Sequence, residues 1–178
     1  MSVRVIVPPQ PIVSLADAKA FLRVDHQDDD TMITDLIMAA QSEFDGPNGR
    51  LGRAAGAQTL EATFGRFCRF MPLPYPELTG ILAVTYRVPD ESQLTADPAL
   101  YELAEDGIRL KSGASWPSAA SICDAVKVRY TAATVKDQPA LERMRLAVKI
   151  HVRASYDHED GAWRSTFDAL LSSLRKFG

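Results

Sequence analysis

Cysteine is nearly missing: Cys68 and Cys123 are the only two in 178 residues, and nothing near either has the paired spacing of a thiolate zinc site. Both sit in apolar surroundings and are expected as buried free thiols rather than a disulfide. Long hydrophobic runs are missing too. No stretch approaches the roughly 18 consecutive apolar residues of a membrane span. The N-terminus, Met-Ser-Val-Arg-Val-Ile-Val-Pro-Pro, meets Pro8 before a signal-peptide core can form, so the chain is expected to stay in the cytoplasm where it is made. Nor is there an excess of one charge. Lys and Arg number 20 against 23 Asp and Glu, and a net charge of −3 produces no global field that would draw nucleic acid or a membrane. Walker A, Gly-x-Gly-x-x-Gly, Gly-x-Ser-x-Gly and His-Glu-x-x-His sequences are all absent, which removes support for the common motif-bearing enzymes.

What is present is apolar mass for a core, 46% of residues, in a chain of single-domain length. Charge is unevenly laid out: residues 1–110 hold 16 acids against 9 bases, and residues 111–178 hold 7 against 11. That polarity suits a molecule that stacks head to tail or shows different faces to different partners, or it is chance segregation of solvated charge.

Three blocks follow from periodicity. In residues 1–56, Ser14 caps a short helix over 15–22, whose Leu15, Ala18, Phe21 and Leu22 recur at helical spacing. Residues 23–27 connect it to a second helix, where Asp28, Asp29 and Asp30 put negative charge at the positive end. Ile33, Leu36, Ile37, Ala40 and Phe44 form its apolar stripe, Gly46-Pro47 stops it, and Gly46, Gly49, Gly52 and Gly56 mark a flexible loop. Residues 57–133 change period. Leu60, Ala62 and Phe64 alternate with Thr59, Glu61 and Thr63 in a half-buried strand, residues 70–76 are extended and proline-rich, and 81–88, 100–104, 108–110 and 125–131 read as further strands. Short turns between them favour antiparallel pairing. In residues 134–178, Pro139 opens a long helix with Leu141, Met144, Val148, His151, Val152 and Ser155 on one face. After a break at 158–161, Phe167, Leu170, Leu171, Leu174 and Phe177 make a last stripe. The fold class expected is α+β: a small helical bundle with an inserted antiparallel β region, taken as a single domain over 1–178.

Few residues suggest chemistry. The run Asp25-His26-Gln27-Asp28-Asp29-Asp30 offers oxygens to a hard cation but lacks the central glycine and distal glutamate of an EF-hand, so helix N-terminal charge is the better reading. Asp157, His158, Glu159 and Asp160 are consecutive and point in different directions, as a solvated helix end does. His151 lies at the spacing of an apolar face and reads as a core or interface histidine before it reads as a base. Trp116 and Trp163 are turn-packing residues or partner anchors. Arg143, Arg145, Lys149 and Arg153 form a basic helix face without interleaved aromatics, and Arg145, Lys149 and Arg153 are the candidates for facing a DNA channel.

The order of the pieces carries a resemblance. Residues 12–26, Ile-Val-Ser-Leu-Ala-Asp-Ala-Lys-Ala-Phe-Leu-Arg-Val-Asp-His, followed by Asp28-Asp29-Asp30 and Ile33-Thr34-Asp35-Leu36-Ile37-Met38-Ala39-Ala40, resemble the start of the head-to-tail connector (adaptor) proteins of tailed phages and phage-derived gene transfer agents. Later pieces agree: Gln58-Thr59, Leu73-Pro74-Tyr75-Pro76, Val84-Thr85-Tyr86, Tyr101, Ile108-Arg109-Leu110, Ser115-Trp116-Pro117 and residues 126–132, then the helix after Pro139. The resemblance implies a structural virion protein without catalytic residues, metal or cofactor. It implies a homo-oligomeric ring of twelve copies, held between the portal protein and the tail-side neck (stopper) protein, through which DNA passes without sequence recognition. Such a chain would be made in the host cytoplasm and built into the neck of the particle, with no membrane partner. Under this reading the portal contact is expected from Trp163, Arg164, Phe167, Leu170, Leu171, Leu174, Arg175, Lys176 and Phe177; the bland alternative is that the same stripe closes the protein's own core. The stopper itself, a metal-dependent hydrolase using Asp28, Asp29, His158 and Glu159, and a stand-alone nucleic-acid-binding module are the competing readings.

Overall fold

The computed structural model describes residues 1–46, 49–75, 77–90, 92–134 and 137–174. The chain divides into two compact units: residues 1–8 with 57–133, and residues 9–56 with 134–178. The architecture is α+β, with the α-helices in one unit and the antiparallel sheets in the other.

The helical unit holds α1 (Leu15–Leu22), α2 (Asp30–Ser42), α3 (Gln138–Tyr156) and α4 (Trp163–Ser172). Two of its helices, α1 and α3, are capped by side-chain oxygens that stand in for missing backbone partners. Ser14 Oγ accepts from the Asp17 N–H at 3.1 Å, and Asp137 Oδ1 accepts from Ala140 N–H at 3.1 Å ahead of Pro139. The α1 terminus is closed by Arg23 in the left-handed region, which lets the Arg23 and Val24 N–H groups reach back to Ala20 and Lys19. Ile33, Ile37, Ala40 and Phe44 from the α2 stripe meet Met144, Ala147, Val148 and Val152 from α3 in one buried core, joined by Val13, Ala18 and Leu51.

The end of the glycine-bearing segment after α2, expected to be loose, is held at Ala55 and Gly56 by a buried carboxylate. Asp45 accepts from the backbone N–H groups of Ala55 (2.7 Å) and Gly56 (3.0 Å) and from Gln41 Nε2 (2.7 Å). Gln41 in turn donates to Gln10 O and accepts from the Ile12 N–H. A Cβ at Gly56 would stand 2.0 Å from Gln10 O, so only glycine permits this approach.

The β unit contains β1 (Ser2–Val7), β2 (Gln58–Phe64), β3 (Phe70–Pro72), β4 (Leu78–Arg87), β5 (Gln93–Thr95), β6 (Tyr101–Ala104), β7 (Gly107–Leu110) and β8 (Val126–Ala132). They form a five-stranded sheet in the order β1-β2-β8-β4-β5 and a three-stranded sheet in the order β3-β7-β6, with antiparallel ladders. Two strands were not anticipated. Residues 1–56 are therefore not all helical territory, because β1 pairs with β2 and belongs to the β unit; β5 is a three-residue edge. Leu60, Ala62, Val84, Val128 and Tyr130 are buried on one face of the larger sheet. Tyr130, fully buried, donates its hydroxyl to Pro74 O at 3.0 Å, and burial drives its pKa far upward. Trp116 packs a turn, stacked on Phe67 at 4.5 Å with its indole N–H on Cys68 O. Cys68 and Cys123 are free but exposed, contrary to expectation: both lie in segments between strands, where apolar neighbours in sequence do not become neighbours in a core.

Candidate functional site

The expected docking stripe is consumed inside the helical unit. Phe167, Leu171 and Leu174 are buried in its core, Trp163 and Leu170 pack partly buried against it, and Phe167 lies 6.4 Å from the Phe44 ring. The same face of α4 cannot be core and free docking strip at once while this unit is folded. Of the named set, Arg164 stays exposed, its guanidinium 5.4 Å over the Trp163 ring. Arg175, Lys176 and Phe177 lie outside the described residues.

Arg145, Lys149 and Arg153 do share one row of α3, four residues apart. Two of them are occupied. Arg145 donates from Nε to Ile12 O at 3.0 Å and pairs with Glu142, while Arg153 stands 3.4 Å from Asp157. Lys149 acts on Asp17, whose carboxyl is held below its ordinary value first by the hydrogen bond from Ser14 and then by the positive charges of Lys149 and Arg145.

The acidic run before α2 joins helix ends rather than gathering round an ion. Asp30 pairs with Lys19, and Asp29 accepts the Tyr156 hydroxyl at 2.6 Å, a bond that raises the tyrosine pKa. Among the described residues no three His, Cys, Asp or Glu side chains gather as a metal-ligand set. His151 is half-buried in a polar chain: Nε2 lies 2.9 Å from Glu43 Oε1, Nδ1 lies 3.3 Å from Ser155 Oγ, and Arg50 links Glu43 to Asp168. The order Glu-His-Ser imitates a nucleophile relay. Ser155, however, sits inside α3, where the neighbouring N–H groups are spent on the helix ladder and none can form an oxyanion hole. Trp163 and Phe167 enclose the imidazole at 4.6 and 5.6 Å, so this histidine packs the α3–α4 contact.

One charged constellation was missed. On the face of the larger sheet opposite Leu60 and Tyr130, direct cross-strand register sets Arg4 beside Glu61 and Glu61 beside Arg129. Arg4 Nε and Nη2 donate to Glu61 Oε1 at 3.1 and 2.7 Å, and Arg129 Nη2 donates to Oε2 at 2.9 Å. Glu61 is only 5% exposed, against 64% and 47% for the two arginines. Burial works to raise its pKa, but the hydrogen bonds from Arg129 and Arg4 outweigh that, and the carboxyl is held below its ordinary value of 4.5. Period-two alternation already put Glu61 on the outer face; its partners required the pairing of β1 and β8 with β2. Because the folded pKa is the lower one, the triad's contribution is complete above about pH 4.5 and is lost as pH falls through the folded value. We expect the acid limb of the stability–pH curve, followed by thermal melting, to flatten in Glu61→Gln; an unchanged acid limb contradicts this.

No family model and no curated protein matches the chain. Solved structures do. The chain is similar over its whole length, and over 97% of each counterpart, to a chain of the neck of an empty gene transfer agent (GTA) particle computed with C6 symmetry (TM-score 0.74, 16% identity). It is similar to the same extent to chains of the virion of a native GTA particle (0.73, 16%) and of the neck of a native GTA particle computed with C12 symmetry (0.69, 15%). Both units, in chain order, therefore share a fold with GTA particle components.

Proposed function

We propose that this chain is a structural component of the head-to-tail neck of a tailed particle, an adaptor that assembles as a ring of twelve between portal and stopper and surrounds the path of the DNA. The observation that carries the reading is the full-length fold match to chains of GTA necks, with 97% of each counterpart covered. The adaptor-like opening over residues 12–40 supports it separately, because those residues build α1 and α2, the start of the helical unit. C6 and C12 symmetry in the similar particles favours a ring, and the uneven charge along the chain suits head-to-tail contacts within one. The four-helix unit favours an adaptor over a β-rich stopper. With Phe167, Leu171 and Leu174 committed to the core, the portal contact in this reading falls to the exposed side of α4, including Arg164, and to Arg175, Lys176 and Phe177 beyond it.

Negative-stain microscopy of the purified chain mixed with the portal from the same genome tests the proposal. A ring added coaxially to one end of the portal is the expected result. A chain that stays monomeric and never joins the portal, or that joins only the distal side of another neck ring, overturns the adaptor reading.

A further inference from the structure

The triad on the sheet lies in a groove of about 240 Å³ lined by Arg4, Glu61, Ala83, Thr85, Gln93, Lys127 and Arg129. Three cations face one carboxylate there. Lys127 lies two residues along β8 from Arg129, flanked in register by Thr63 and Thr85, and makes no ion pair among the described residues. Ala83, directly across from Arg129 on β4, has no side chain long enough to cover the guanidinium.

We propose that this groove is a weak binding rail for the phosphodiester backbone of duplex DNA, with Lys127, Arg129 and Arg4 as contacts and Glu61 as the residue that positions both guanidiniums. The inference rests on the neck reading, in which DNA passes the protein, and assigns the DNA contact to the β unit instead of the α3 row. Two residues along a strand span about 7 Å, close to the step between successive phosphates on one nucleic-acid strand, so Arg129 and Lys127 can engage neighbouring phosphates. Each guanidinium spends only part of its five N–H donors on Glu61 and keeps others for an incoming oxygen. The shared carboxylate also lowers the net charge of the groove, which suits a contact that must release as the duplex slides. No aromatic ring lines the groove, so no base is stacked and sequence is not read. An acidic protein strand is a poorer occupant. β8 and β4 are interior strands whose backbone groups are already paired, and such a segment could not add itself to the sheet there.

Fluorescence anisotropy of the full chain with a short labelled duplex of arbitrary sequence, titrated between roughly 50 and 200 mM salt, reads the contact. Lys127→Ala is expected to weaken binding at low salt by about threefold or more and to reduce the log–log salt slope by roughly one. Glu61→Gln releases both arginines and is expected to tighten binding at low salt; Lys127→Ala keeps the test decisive if that variant does not fold. The double variant Lys149→Ala, Arg153→Ala is expected to leave affinity within about twofold. Failure of the wild type to bind duplex at low salt, an unchanged Lys127→Ala, or binding that depends on Lys149 and Arg153 overturns the proposal. So does Lys127-dependent binding of polyglutamate in place of DNA. A chain that joins its portal yet fails these titrations refutes the rail alone, and one that binds duplex through Lys127 yet never joins a portal refutes the neck reading alone.

Discussion

Deleting residues 163–178 is expected to unfold the helical unit rather than trim a binding tail. Phe167, Leu171 and Leu174 are at most 6% exposed, and α4 is also tied by Arg50, which bridges Asp168 to Glu43. Fully burying a large apolar side chain contributes roughly 1.5–3 kcal/mol, so removing these three costs about 5–9 kcal/mol before the cavity beside Phe44 and His151 is counted. Whole domains are stable by only about 5–15 kcal/mol. The expected measurement is loss of most helical ellipticity at 222 nm together with loss of the cooperative helical melt. Phe167→Ala alone should cost about 3–5 kcal/mol in denaturant titration. A truncated chain that keeps its helical signal and melting temperature would show that α4 is an appendage after all.

Replacing Asp45 with alanine is the second change with a large expected effect, about 3–5 kcal/mol, because it strands several buried donors at once. The Ala55 and Gly56 N–H groups and Gln41 Nε2 all point at this carboxylate from the interior, and each buried donor left unmet costs about 1–3 kcal/mol. The loss should appear as a lower urea midpoint together with faster hydrogen exchange at the Ala55 and Gly56 amides. A cost below about 1 kcal/mol would mean that water replaces the carboxylate freely and that the segment is as loose as its glycines suggest.

Helix positions were legible because their signals are local. Ser14 with Asp17, the spacing of Ile33, Ile37 and Ala40, and Pro139 with the run from Leu141 to Val152 each lie within a few turns, and the observed α1 and α3 begin and end within a residue or two of expectation. β2 and β8 were legible for the same reason. β1 was not, although Ser-Val-Arg-Val-Ile-Val alternates as a strand should, because an edge strand needs a partner and its partner starts at Gln58. Cys68 and Cys123 misled for the opposite reason: their surroundings in sequence are apolar, but burial belongs to the fold and not to the neighbours along the chain.

What the sequence determined by itself was the class of the molecule: α+β, a helix at 15–22, a second opened by Asp28–Asp30 and stopped by Gly46-Pro47, a long one opened at Pro139, an antiparallel β region between them, and the resemblance that points to a particle neck. Those follow from periodicity, capping and motif order, which are properties of contiguous residues. Tertiary structure decided which apolar stripe is core, which carboxylates are paired and where the cations gather. The stripe of α4 became interior only because Phe44 and Met144 and their neighbours present a complementary surface to Phe167 and Leu171. The Arg4–Glu61–Arg129 row exists only because strands separated by more than fifty residues lie side by side at a spacing of about 4.8 Å, bringing charges together that the linear chain keeps apart.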